Sequence, residues 1–216
     1  MSTKVFTRVV WVGIVAVAFG LVEAVVVVYL REIYYPHGFA FPLASLSLNH
    51  ISVEISREAA TIVILAGLGI LAGSSRWQRF GFFLVSFAVW DVFYYIWLKV
   101  LLDWPASILD WDVLFLIPIP WIGPVLAPVI ISMALLGAGL AILVHEDRSQ
   151  TFVFGRSEAI IALAATCVLL YTFVSDLQAT LHGDVPQPYK YLLFIAGMAG
   201  YGTVLARMVM RIPRSS

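Results

Sequence analysis

The chain has 216 residues, of which 62% are apolar and only 12% charged, with 13 Lys+Arg balancing 13 Asp+Glu. A soluble domain carries about 25% charged residues, and a fold of this size cannot hide so much apolar surface beneath so thin a polar exterior. Composition and zero net charge exclude a soluble enzyme, a disordered chain and a basic nucleic-acid binder, and indicate an integral membrane protein.

A bilayer core needs ~20 apolar residues per helix, and six segments qualify. The first, residues 9–30, follows Lys4 and Arg8 as a signal peptide would, and Ala16-Val17-Ala18 resembles a cleavage site. The apolar run continues past it to Leu30, too far for a signal, so a retained span is expected. The second and third spans are expected at 51–72 and 78–101, and the fourth at 114–144. The fourth opens on Ile117-Pro118-Ile119-Pro120-Trp121-Ile122-Gly123-Pro124. Proline removes backbone donors, so a bent or partly unwound entry is expected there. The fifth and sixth spans are expected at 159–176 and 191–210. The runs are continuous, without the ten-residue alternation of barrel strands. The expected fold is therefore an all-α integral membrane protein, a single six-span bundle over residues 1–216.

Basic residues set the expected orientation. Lys4, Arg8, Arg76, Arg79, Arg148, Arg156, Arg207, Arg211 and Arg214 fall at one set of span ends, and Arg31, Arg57, Lys99 and Lys190 toward the other. The richer side is expected to face the cytoplasm, with both termini inside, in a bacterial-type inner membrane. Trp90, Trp97, Trp104, Trp111 and Trp121 fall in the outer half or its rim, where an aromatic belt is expected. Gly69-x-x-x-Gly73 and Ala196-x-x-x-Gly200 allow close helix approach within the bundle. A short echo, Trp90-Asp91-Val92 and Trp111-Asp112-Val113, is too brief to define a repeat. The single cysteine, Cys167, excludes a disulfide framework and a Cys-based zinc site.

The acids carry the functional signal, because a carboxylate at membrane depth is expensive and marks a functional site by default. Glu23 and Glu58 each lie seven residues from the outer ends of their spans, ~10 Å deep, and Asp91 lies ~15 Å deep. His50, Glu54 and Glu58 follow an i, i+4, i+8 stripe, and Arg57 shares that face. A cavity between spans 1, 2 and 3 is expected, lined by Glu23, His50, Glu54, Arg57, Glu58 and Asp91. The segment Pro118–Pro124 is expected to cap it.

Three readings follow. In the leading one, Glu23, His50, Glu54 and Glu58 ligate a divalent transition metal (Fe, Mn or Zn), a donor set such ions accept. The protein is then a metal-dependent membrane enzyme acting on a lipid-soluble small molecule. Asp91 serves as base or orienting group, and Arg57 balances charge or holds an anionic group. In the second, the carboxylates carry protons or cations in a small transporter, working as a homo-oligomer. In the third, the charges serve contacts in a subunit or assembly factor of a larger membrane complex. The bilayer is the expected partner in all three, and nucleic acid in none.

Known motifs decide nothing further. CAAX-type intramembrane proteases carry a Glu-Glu pair with Arg four residues on, an order that Glu54-x-x-Arg57-Glu58 breaks. The small carotenoid cyclases share a Trp-Asp pair like Trp90-Asp91, but their Pro-x-Glu-Glu motif is absent. His37, His182, Asp176 and Asp184 read as loop residues, and His145-Glu146-Asp147-Arg148 as a solvated helix end.

Overall fold

The computed structural model describes the chain except residues 42, 45–46, 149–151, 153, 177–185, 187 and 212–216. His182 and Asp184 thus lie outside the described residues. Within them the elements run α1 (Thr3–Tyr34), α2 (Leu48–Ala72), α3 (Arg76–Leu102), β1 (Trp111–Phe115), β2 (Trp121–Pro124), α4 (Leu126–Asp147), α5 (Arg156–Val174) and α6 (Tyr191–Met210). All six of these helices are long and apolar enough to cross a bilayer. Large apolar side chains such as Val63, Leu71, Ile160, Leu163, Leu192 and Ile195 lie exposed around the bundle. Apolar surface on that scale suits lipid and not water.

Local signals fix the helix starts. Ser2, Ser47 and Ser75 each cap a helix, accepting from the backbone N–H of Val5, His50 and Gln78. A serine hydroxyl there satisfies one of the donors that the first helical turn leaves unpaired.

The most enclosed element is α3, packed by α1, α2 and α4, while α6 joins α4 to α5. Small residues set these approaches. A Cβ on Gly20 of α1 would stand 3.1 Å from the Trp90 carbonyl oxygen of α3. A Cβ on Gly139 of α4 would come 2.8 Å from the Gly81 carbonyl oxygen, also of α3. Gly69 and Gly73 at the end of α2 meet α3 in the same way. On α6 it is Gly197 and Gly200 that lie against Ala165 of α5, while Ala196 is exposed. In contrast, α1 and α2 each lean on α3 but touch one another little.

The fourth expected span requires correction. Its helix begins at Leu126, not near residue 114, and the preceding stretch is an antiparallel hairpin. Trp111 pairs with Pro124, Asp112 with Gly123, Val113 with Ile122 and Phe115 with Trp121, with a bulge between Val113 and Phe115. Pro118 and Pro120 fall in the connection between the strands, where no ladder donor is required. An isolated two-stranded ribbon is marginal by itself. Here Ile122 is buried, and the Trp121 ring stacks on Phe173 of α5 with centroids 6.3 Å apart. The ribbon packs on α5 and lines a cavity, the two conditions under which non-helical backbone is tolerated beside lipid.

Two further expectations change. The tryptophans do not form a simple belt: Trp90 is buried, Trp97 donates to the Val17 carbonyl at 3.0 Å, and Trp104 covers Arg31. The 145–148 segment is not simply solvated. His145 is buried against the Ala141 carbonyl, and Glu146 accepts from Ser75 and from the Phe152 N–H. Asp147 binds Ser2. These contacts tie the starts of α1 and α3 to the end of α4.

Candidate functional site

One cavity of about 180 Å³ lies at the hairpin end, lined by α1, α2, α3, β1 and the connection after α1. Its charged lining is Glu23 and Arg31 of α1, Glu54, Arg57 and Glu58 of α2, Asp91 of α3 and Asp112 of β1. Helical spacing explains the convergence. Glu54, Arg57, Glu58 and Thr61 recur at i, i+3, i+4 and i+7, one stripe of α2. Trp90, Asp91, Tyr94 and Tyr95 form the matching stripe of α3.

Arg57 is the hub. Its guanidinium pairs with Glu23 across the helix gap, and its Nε donates to Glu54 Oε2 at 3.0 Å. The Thr61 hydroxyl donates to the other Glu23 oxygen at 2.8 Å. One cation thus serves two carboxylates on two helices that otherwise touch little. Glu58 lies outside that pairing and accepts the Leu116 N–H at 2.8 Å, which fastens the end of the hairpin's first strand over the cavity. Asp91 accepts from the Ser132 hydroxyl of α4 at 2.8 Å.

A second ion pair closes the cavity toward the hairpin. Arg31 Nη2 reaches Asp112 Oδ1 at 3.2 Å, with both residues buried. The guanidinium carbon lies 3.7 Å from the centre of the Trp104 ring and 4.4 Å from that of Phe39. Cation–π contact and the ion pair together hold this arginine in place. Burial pushes the Asp112 carboxyl up to about 6, against the opposing pull of Arg31. Burial likewise raises the Tyr35 hydroxyl, which accepts the Ala44 N–H and fixes the α1–α2 connection.

The structure therefore brings Glu23, Glu54, Arg57, Glu58 and Asp91 to one cavity and leaves His50 out. The His50 ring is exposed and bound through Nδ1 to the Tyr34 and Ser47 hydroxyls. Of the four expected metal ligands, Glu23, Glu54 and Glu58 thus line the cavity and His50 does not. The Arg57 guanidinium lies between Glu23 and Glu54 and pairs with both, and the His50 imidazole is outside the cavity. Among the described residues no three His, Cys, Asp or Glu side chains are grouped to hold a metal ion.

Sequence reasoning missed Arg31, Asp112, Thr61 and Ser132. The available signal was the Trp-Asp-Val echo. Its copies sit on a helix and a strand, so they are not a structural repeat, yet Asp91 and Asp112 line the same cavity. The fold and site define a class, a multi-pass helical bundle with a polar cavity at one end. No protein-family model, curated protein or solved structure matches the chain.

Proposed function

We propose that this chain binds a cation in exchange with protons in its cavity, as the working centre of a small proton- or cation-coupled transporter. The observation that carries the reading is the charge inventory, five carboxyls against two guanidiniums around one cavity. Arg31 and Arg57 satisfy three of the acids, and Glu58 and Asp91 have only neutral donors. An acid so placed must take a proton, a cation or water. Exchange among the first two is the elementary step of coupled transport.

In the same reading the hairpin end faces outward and both termini face the cytoplasm of a bacterial-type inner membrane. Among the described residues the terminal end carries Lys4, Arg8, Arg76, Arg79, Arg148, Arg156, Arg207 and Arg211, while Arg31, Arg57, Lys99 and Lys190 lie toward the hairpin. That bias follows the positive-inside rule.

Proteoliposomes loaded with a pH-sensitive dye test the proposal, with sodium, potassium or alkylammonium chloride added outside. At least one cation should drive saturable proton counterflow that Glu58→Gln or Asp91→Asn abolishes while the protein stays folded. Counterflow no greater than in empty liposomes for all three would overturn it.

One observation favours a second reading, in which the charges are structural. Arg57 staples α1 to α2 where few other contacts do. On that reading Glu58→Gln and Asp91→Asn change stability and no flux exists to lose.

A further inference from the structure

Resting on the reading of this cavity as a cation site, we propose that its ligand is an amphipathic protonated amine. The ligand carries an ammonium with N–H groups, a hydrogen-bond acceptor close to it, and a short hydrocarbon part. Four features of the cavity converge on that chemistry.

First, the excess of carboxyls selects a positive charge, since a buried ionised acid without a counter-charge is costly. Second, two buried polar atoms on cavity-lining residues make no hydrogen bond of normal geometry: Trp90 Nε1, and Asp112 Oδ2, whose carboxyl has only the Tyr95 hydroxyl and the Val113 N–H nearby as weaker donors beside Arg31. The carboxylate oxygen calls for a donor and the indole N–H for an acceptor. Such orphans are rare in folded proteins and each costs free energy until it is paired. A bare alkali or divalent cation satisfies the first and cannot satisfy the second. A quaternary ammonium has no N–H to offer Asp112. A protonated amine with a neighbouring hydroxyl or ester oxygen satisfies both.

Third, much of the remaining lining is hydrocarbon or aromatic, including Val27, Leu30, Leu43, Tyr94 and Phe115. Aromatic faces attract ammonium groups, and aliphatic walls accept a chain. Fourth, the size is right. A cavity of about 180 Å³ has room for about six waters at ~30 Å³ each, the scale of an amino-alcohol head with a few carbons. Both free amines and the ethanolamine headgroup of a phospholipid carry this chemistry.

Calorimetry on the full-length protein in detergent tests the proposal with four probes: hexylamine, 1-aminohexan-2-ol, hexyltrimethylammonium and hexan-1-ol. The expected result is saturable binding of both amines, at least tenfold weaker binding of hexyltrimethylammonium, and none of hexan-1-ol. The amino-alcohol should bind more tightly than hexylamine, and Trp90→Phe should erase that preference. Asp91→Asn keeps the acceptor for Ser132, so the fold should persist while amine affinity drops tenfold or more.

Displacement of hexylamine by phosphatidylethanolamine but not by phosphatidylcholine would identify a lipid headgroup as the source. No displacement by either would identify a free amine. No saturable amine binding, or equal binding of hexan-1-ol and hexylamine, would overturn the proposal. Sodium-driven counterflow without amine binding would remove this inference and leave the transport reading intact. Amine binding without counterflow for any cation would do the reverse.

Discussion

Arg57 and Asp112 are the two residues whose ionic state matters most to the cavity. Removing the Arg57 charge leaves Glu23 and Glu54 buried with no counter-ion, and breaking a buried pair from one side typically costs about 3–5 kcal/mol. Arg57→Met should lower the thermal unfolding midpoint in detergent markedly, and adding Glu23→Gln with Glu54→Gln should restore much of the loss. If the triple variant is no more stable than Arg57→Met, the ion-pair account of this site is wrong. Asp112 predicts a pH dependence. Its carboxyl titrates near 6 in the folded protein against an ordinary value of 3.8. Between those values the folded state holds a proton that the unfolded chain has lost. The contribution to stability is therefore full at low pH and lost as pH rises through about 6. The difference in unfolding midpoint between the wild type and Asp112→Asn should change across that window, and a constant difference would contradict the assignment. The acids on the spans were legible in the sequence because charge is costly in a bilayer. Arg31 and Asp112 were not: each reads alone as a rim residue, and the pair is separated by 81 positions.

The helices were legible for a different reason, since an unbroken apolar run of bilayer length has few other fates. The hairpin was not legible because its strands are themselves apolar and continuous with α4. Length was the overlooked signal: a run from 114 to 144 exceeds what one crossing requires, and Pro118, Pro120 and Pro124 interrupt its first part. The stack of Trp121 on Phe173 supplies much of the hairpin's support. Trp121→Ala should speed amide hydrogen exchange across residues 111–124 while leaving α3 unchanged; uniform protection would show that the ribbon is held by something else. Helix approach is equally specific. Gly139→Ala places a methyl against the Gly81 backbone, which cannot yield as a flexible side chain would. Overpacking of this kind costs about 1–3 kcal/mol, so the unfolding midpoint should fall, whereas Gly13→Ala, which meets nothing within 4 Å, should leave it unchanged.

Across the whole molecule the two ends of the bundle differ in kind. The terminal end is knotted by short contacts: Ser2 to Asp147, Ser75 to Glu146, and Arg211 to Glu158 at 2.7 Å. The hairpin end instead keeps its carboxyls around open volume, under a roof formed by Arg31, Trp104 and Phe39. A bundle built this way is tied together by polar contacts at one end and keeps polar groups around open volume at the other, where a cation is proposed to bind. The orientation proposed for it has its own consequence. A membrane-impermeant maleimide added to intact cells should label Lys99→Cys and spare Arg76→Cys in a Cys167→Ala background, and the opposite pattern would invert the topology.

Cation–proton exchange has a direct signature, the release of protons on cation binding. Calorimetric titration of the purified protein with sodium and with hexylammonium, repeated in buffers of different ionisation enthalpy, counts the protons displaced. At least one of these cations should bind with release of about one proton, and Glu58→Gln or Asp91→Asn should reduce that number. Binding without proton release, or no binding of either cation, would contradict cation–proton exchange and leave the carboxyls with a structural role alone.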